Sequence, residues 1–273
     1  MGKFDGILIC TDLDGTLFRN DKTVSAATAE AIEYFKREGG RFTFVTGRMP
    51  SFVSDVWEAV RPNAPFGCIN GGGLYDYEAG RYVWTMELPR AALALVRAVD
   101  EELAGVGFQV NTFDKVYFCK ENNVMEAFRR ITGAPNLVRH YDEIDEPIAK
   151  VVFGCSDEGE ILRLERFLRS HPMADDFDFI RSERSLFEIL PKGSGKGTAV
   201  GKLTEHLGLD PHKTVAVGDY NNDISMFEAA GVGIAVANAC PEALAAADFV
   251  TVSNEEDAIA RVIYDLAAGK YIS

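Results

Sequence analysis

Asp12 and Asp14, with Gly15 and Thr16 directly behind them, close an apolar run that begins at Ile7. A continuous apolar run of that length suits a strand buried on both faces of a parallel sheet. Strand alternation would turn both aspartates to one side and Leu13 to the other. Open α/β sheets bind ligands at the carboxyl ends of their strands, which is where this pair falls. Two carboxylates held so close repel each other, and a divalent cation or a shared proton would relieve the repulsion. Gly15 lets the chain turn sharply, and Thr16 adds a hydroxyl to the same space.

Three further groups fit chemistry on an anion. Thr46 follows a strand-like run, so its hydroxyl and the N–H of Gly47 could both donate to a phosphate, with Arg48 next to them. Lys196 lies in a Gly-rich loop, Lys192-Gly193-Ser194-Gly195-Lys196-Gly197-Thr198. A nucleotide-binding P-loop is excluded there, because Leu190 stands where its first Gly belongs and Gly197 where Ser or Thr should follow the lysine. A lysine near a helix start can instead supply the cation that an anionic substrate needs in an acidic protein. Asp219 and Asp223 follow another strand, with Asn222 between them. Carboxylates there, beside Asp12 and Asp14, would form the oxygen-rich site that suits Mg²⁺.

The elements that must position these residues alternate. The spacing predicts a helix over Ala27, Ala31, Ile32 and Phe35, stopped at Gly39-Gly40, a strand from Arg41 to Val45, a helix over Phe52 to Val60, and a third strand from Phe66 to Ile69. Strand, helix, strand, helix, strand is the pattern of a doubly wound parallel sheet. A hairpin around Glu78-Ala79-Gly80 and a mixture of strands and helices follow as far as Leu190. After Lys192 the first pattern returns: a helix ending near Gly208, strands at Thr214 to Val217, Val232 to Val236 and Asp248 to Val252, and a last helix N-capped by Asn254. The expected fold is α/β, a doubly wound Rossmann-like core of residues 1–86 plus 190–273, with an inserted α+β cap of residues 87–189.

Motif by motif, the chain resembles the haloacid dehalogenase superfamily. Asp12-Leu13-Asp14-Gly15-Thr16 resembles its first motif, Thr46 its second, Lys196 its third, and Gly218-Asp219 to Asn222-Asp223 its fourth. A cap between the second and third motifs, with mixed hairpins and helices, is similar to the Cof-type subgroup with its C2B cap (subfamily IIB). The resemblance implies an Mg²⁺-dependent phosphatase for small phosphomonoesters, sugar phosphates or related metabolites. Asp12 would be the nucleophile and Asp14 the general acid and base. Asp12, the Asp14 carbonyl, Asp219 and Asp223 would hold the metal, and Thr46, Gly47, Arg48, Lys196 and Asn222 would face the phosphate or substrate. A phosphomutase is the alternative, and a non-catalytic binding protein a more distant one, since no motif residue is degraded.

Composition narrows the partners. With 28 Lys and Arg against 42 Asp and Glu, a net charge of −14 disfavours nucleic acid and anionic membrane surfaces. No signal segment or membrane-spanning run is legible. The 5 cysteines are scattered, and the 4 histidines lack metal-ligand spacing. A cytoplasmic monomer or small homo-oligomer with reduced core thiols, acting on a small phosphorylated molecule, is the expectation.

Overall fold

The computed structural model describes residues 2–272. Its first elements are β1 (Leu8–Thr11), α1 (Ala26–Arg37), β2 (Arg41–Phe44), α2 (Ser54–Val60) and the short strands β3 (Phe66–Cys68), β4 (Gly73–Asp76) and β5 (Arg81–Thr85). Next come α3 (Leu93–Glu102), β6 (Gly107–Thr112), β7 (Val116–Lys120), α4 (Asn123–Thr132), β8 (Leu137–Val138), β9 (Ile148–Gly154), α5 (Glu158–Arg169), β10 (Phe177–Glu183) and β11 (Leu186–Pro191). The chain ends with α6 (Lys196–Leu207), β12 (Thr214–Gly218), α7 (Ile224–Ala229), β13 (Val232–Ala235), α8 (Pro241–Ala246), β14 (Phe249–Val250) and α9 (Ala258–Ala267). It divides into two compact units, Met1–Thr85 with Gly195–Ser273, and Met86–Ser194. The second division falls after Ser194 rather than before residue 190, because β11 runs to Pro191 and the Ser194 N–H turns back to the Pro191 carbonyl.

The first unit is built on a parallel sheet in the order β14-β13-β12-β1-β2. The apolar sequences of β1 and β12 fit this placement, since every residue of both is buried. The chain leaves β1 for β2 on one side and reaches β12 on the other, so the strand order reverses between β1 and β12. That switch point is where doubly wound sheets leave a crevice beyond their strand ends. Helix α1 starts where the Ser25 hydroxyl accepts from the Thr28 N–H, and it buries Ala31, Ile32 and Phe35.

Two expectations are corrected here. The strand at Phe66 does not join the main ladder. It forms a separate antiparallel sheet, β3-β4-β5, tied to the main sheet's edge by one bridge from Val45 to Gly67. Ile69 and Asn70 cause this, because their positive φ angles of 57° and 49° end the extended run and turn the chain back into β4. Asn254 does not cap the last helix. Ser253 and Glu256 close a capping box over a 3₁₀ turn, and α9 begins after Asp257 in a left-handed conformation. The buried Asn254 amide instead donates to the Phe18 carbonyl at 3.0 Å.

The second unit is a six-stranded sheet in the order β10-β11-β9-β6-β7-β8, antiparallel except for the β7–β8 pair. One face packs Phe108, Val110, Val151, Phe153, Phe187 and Ile189 against α3 and α5. Alternation sends Gln109, Asn111, Lys150 and Glu188 to the other face, where Lys150 and Glu188 form a buried ion pair of 2.8 Å.

Candidate active site

Strand β1 stops at Thr11, and its ladder delivers the Asp12 N–H to the Val217 carbonyl of β12 at 2.8 Å. Asp12 is thereby fixed at the switch point, side by side with the Gly218–Asp219 turn. Gly15 follows with φ +85°, and a Cβ there would lie 2.5 Å from Asp219 Oδ2. Only glycine lets the first turn come that close to the second carboxylate. Thr16 completes the contact, its hydroxyl donating to Asp219 Oδ1 at 3.1 Å.

Lys196 is the first residue of α6, and its loop is held by an approach of backbone on backbone. A Cβ on Gly71 would sit 1.8 Å from the Gly195 carbonyl oxygen. From there the Lys196 ammonium donates to Asp12 Oδ1 at 2.5 Å and to Asp223 Oδ1. The other Asp223 oxygen accepts from the N–H groups of Asp219 and Tyr220, at 2.9 and 3.0 Å, which fixes the loop after β12. Lys196 and Asp223 are both almost wholly buried.

Asp12, Asp219 and Asp223 bring one carboxylate oxygen each to within 4.8 Å of one another. Burial raises the Asp12 pKa well above the usual carboxylate range; Lys196 opposes this, and Asp223 and Asp219 add to it. Burial, with Asp223 beside it, pushes Asp219 up to about 6 against the pull of Lys196 and Thr16. Burial alone would lower the Lys196 pKa, but Asp12 and Asp223 outweigh it and hold the ammonium firmly charged. Three carboxylates around one lysine leave a cluster of negative charge, in which Asp12 and Asp219 can share a proton. Hard oxygen donors with surplus negative charge fit a small divalent cation.

Asp14 takes a different course. Because β1 ends before it, strand alternation does not govern its side chain, and its backbone lies in the irregular turn Leu13–Leu17. Arg48 grips its carboxylate in a fork, Nε to Oδ2 at 3.0 Å and one terminal nitrogen to Oδ1 at 2.8 Å and Oδ2 at 2.9 Å. Lys22 donates to Oδ1 from the opposite side at 2.8 Å. Burial would raise the Asp14 pKa, but Arg48 and Lys22 override it and hold the carboxyl below its ordinary value. Arg48, expected to face the phosphate, is thus engaged with Asp14.

Thr46 and Asn222 are joined through Asn70. The Thr46 carbonyl accepts from the Asn70 N–H at 3.1 Å, and the Asn70 side-chain oxygen accepts from Asn222 Nδ2 at 3.2 Å. Gly47 packs on the same amide, where a Cβ would meet Asn70 Oδ1 at 3.0 Å. Asn70 thus links the end of β2 to the turn after β12. Its signal in the sequence is Asn-Gly-Gly-Gly directly after a strand, the composition of a turn needing positive φ. Lys22 carries no comparable signal, being one of several polar residues in an exposed turn.

The arrangement offers a buried carboxylate beside a fixed cation, a cluster of carboxylate oxygens, and a second carboxylate outside that cluster. A family model described as haloacid dehalogenase-like hydrolase matches residues 9–263. The chain is 30% identical to the putative phosphatase YxeH of Bacillus subtilis (strain 168), over 96% of this chain and 99% of that one. It superposes with a TM-score of 0.81 on a haloacid dehalogenase-like hydrolase from Bacteroides thetaiotaomicron, at 25% identity over 95% of this chain and 99% of that one. It also shares the fold of a sugar phosphatase of HAD subclass IIB, with a TM-score of 0.83 at 22% identity, covering 96% and 99% of the two chains. The motifs, the switch-point cluster and these likenesses agree: the chain belongs to the haloacid dehalogenase-like hydrolases.

Proposed function

We propose that this protein is an Mg²⁺-dependent phosphatase that hydrolyses small phosphomonoesters, sugar phosphates or related metabolites, through an aspartyl-phosphate on Asp12. The observation that carries the reading is the buried Asp12–Lys196–Asp223 chain with Asp219 beside it at the switch point. The relative in Bacillus subtilis named as a putative phosphatase supports phosphatase chemistry, and the sugar phosphatase that shares the fold makes sugar phosphates the first substrates to try.

Asp12, Asp219, Asp223 and the Asp14 carbonyl would hold Mg²⁺, which neutralises negative charge on the phosphoryl oxygens when bound. The Asp12 carboxylate attacks phosphorus, and the bond from phosphorus to the ester oxygen breaks. Asp14 gives its proton to the departing alkoxide and later takes one from the water that cleaves the aspartyl-phosphate. Lys196 neutralises the Asp12 side of the reacting group from a fixed position and offers a cation to the phosphoryl oxygens. Thr46 and the Gly47 N–H donate to those oxygens, and Asn222, held by Asn70, borders them.

The test is phosphate release from a panel of sugar phosphates and nucleotides, with and without Mg²⁺, alongside Asp12→Asn. The expected result is release that needs Mg²⁺ and falls by about 10³-fold or more in the variant. A folded, Mg²⁺-binding protein that releases nothing across the panel overturns the phosphatase reading. Turnover that appears only with a bisphosphate activator would establish a phosphomutase.

A further inference from the structure

The loop that follows β13 touches both sides of the carboxylate cluster. Its backbone runs along the turn after β12: the Val236 N–H donates to the Gly218 carbonyl at 3.1 Å, and the Cys240 N–H donates to the Asp219 carbonyl at 2.9 Å. Between these two, the Asn238 side chain reaches the other way, and its Nδ2 donates to the Gly15 carbonyl at 2.8 Å. One short loop is thus bonded both to the turn that carries Asp14 and to the turn that carries Asp219.

The bond to Gly15 falls where the first of these turns is softest. Glycine brings the chain up against Asp219 at φ +85°, but it also leaves the backbone there free to swing. Holding the Gly15 carbonyl removes that swing and steadies the neighbouring Asp14 carbonyl. Asn238 is itself braced. Its Oδ1 accepts from the Asn254 N–H at 2.9 Å, which settles the orientation of the amide and leaves Nδ2 for Gly15. The Asn254 side chain in turn donates to the Phe18 carbonyl at 3.0 Å and to Asn20 Oδ1 at 3.3 Å. Two asparagines outside the four motifs therefore hold the Asp14 turn at its centre and at its end.

We infer that Asn238, braced by Asn254, is a positioning residue that sets the spacing between the Asp14 turn and Asp219, and with it the width of the metal site; this rests on the metal binding in the phosphatase reading. Mg²⁺ demands near-ideal octahedral geometry at short bonds, whereas Ca²⁺ accepts longer bonds in a flexible shell. A site whose two sides drift apart therefore loses Mg²⁺ before it loses Ca²⁺.

The experiment measures Mg²⁺ and Ca²⁺ affinity by calorimetry on wild type, Asn238→Ala and Asn238→Asp, with Tm in EDTA as the control for folding. Asn238 is exposed, so both variants should keep a Tm within about 4 °C of wild type in EDTA. Asn238→Ala should weaken Mg²⁺ binding about 10-fold and Ca²⁺ binding by less than about 3-fold. Asn238→Asp keeps an acceptor for the Asn254 N–H but turns an oxygen towards the Gly15 carbonyl. It should weaken Mg²⁺ at least as much, although its added negative charge would by itself tighten any cation. Unchanged Mg²⁺ affinity in Asn238→Ala, equal losses of the two ions, or tighter Mg²⁺ binding in Asn238→Asp would each overturn the inference. A wild type that binds neither ion would instead sink the metal-dependent reading, and the role of Asn238 with it.

Discussion

The core holds two charge clusters built on opposite plans. The inner one gathers three carboxylates near a single ammonium, with Asp12, Asp223 and Lys196 buried and Asp219 partly so. The outer one, Asp14, Arg48 and Lys22, gathers two cations around one carboxylate, with all three side chains at least a third exposed. The inner cluster is short of positive charge and the outer one has a surplus, although the motif carries Asp12 and Asp14 one residue apart. A dry site magnifies each unpaired charge, whereas water screens the outer group. The inner cluster is therefore costly unless a divalent cation completes it, and the outer one is cheap to keep. The end of β1 at Thr11, before either residue, is what lets neighbouring aspartates serve such different ends.

Substitutions can break this comparison or sharpen it. Lys196→Ala removes the sole cation of the inner cluster, and the loss of stability in EDTA should be about 3–5 kcal/mol, as for a broken buried pair. Urea denaturation with and without Mg²⁺ measures it, and Mg²⁺ should return part of the loss. A loss below about 1 kcal/mol would show that the burial does not magnify the charges. For the wild type, Mg²⁺ at a hundred times its Kd should add about 2.7 kcal/mol, read as a rise in Tm over EDTA, and Asp219→Asn should remove most of that rise.

The metal-free protein should also respond to pH in an unusual direction. Asp219 is held at about 6 in the fold against 3.8 for the free side chain, and Asp12 is raised too. The folded state thus binds more protons than the unfolded state between those values, so stability falls as pH rises through this window. A drop of about 2 kcal/mol from pH 4.5 to 7 in EDTA, flattened in Asp219→Asn, is the expected outcome. Gly15→Ala should cost about 1–2 kcal/mol for its left-handed backbone alone, and it should also weaken Mg²⁺ binding by pushing on Asp219. The smallest change belongs to the outer cluster: Lys22→Met should alter unfolding stability by less than about 1 kcal/mol. A larger loss there would erase the contrast between the two clusters.

Much of the core was legible because its strands are buried on both faces and read as apolar runs ending in chemistry-bearing turns. Asp12, Lys196, Asp219 and Asp223 meet because topology brings their strand and helix ends together, and strand order follows from the alternation of strands with helices. What stayed hidden depends on single backbone angles. Nothing in Phe66-Gly67-Cys68-Ile69 signals that Ile69 turns left-handed and sends β3 into a separate sheet. Nor does an exposed lysine in a polar turn signal that its ammonium reaches Asp14 across eight residues. In the cap, β8 escaped notice because two exposed residues show no alternation. The elements on either side of it, α4 and β9, are long enough to show a pattern.

The place of β1 in the sheet has a consequence for how the protein is made. β1 lies inside the sheet, between β2, which is synthesised soon after it, and β12, more than two hundred residues later. Until Thr214–Gly218 leaves the ribosome, one edge of this buried, apolar strand stays unpaired. The intervening segment carries its own sheet and its own apolar core, so it can fold during that interval. The core closes last, through contacts of very large sequence separation, which makes its closure the slow step of folding. A nascent chain truncated before β12 should therefore hold a folded insert beside an exposed, aggregation-prone β1.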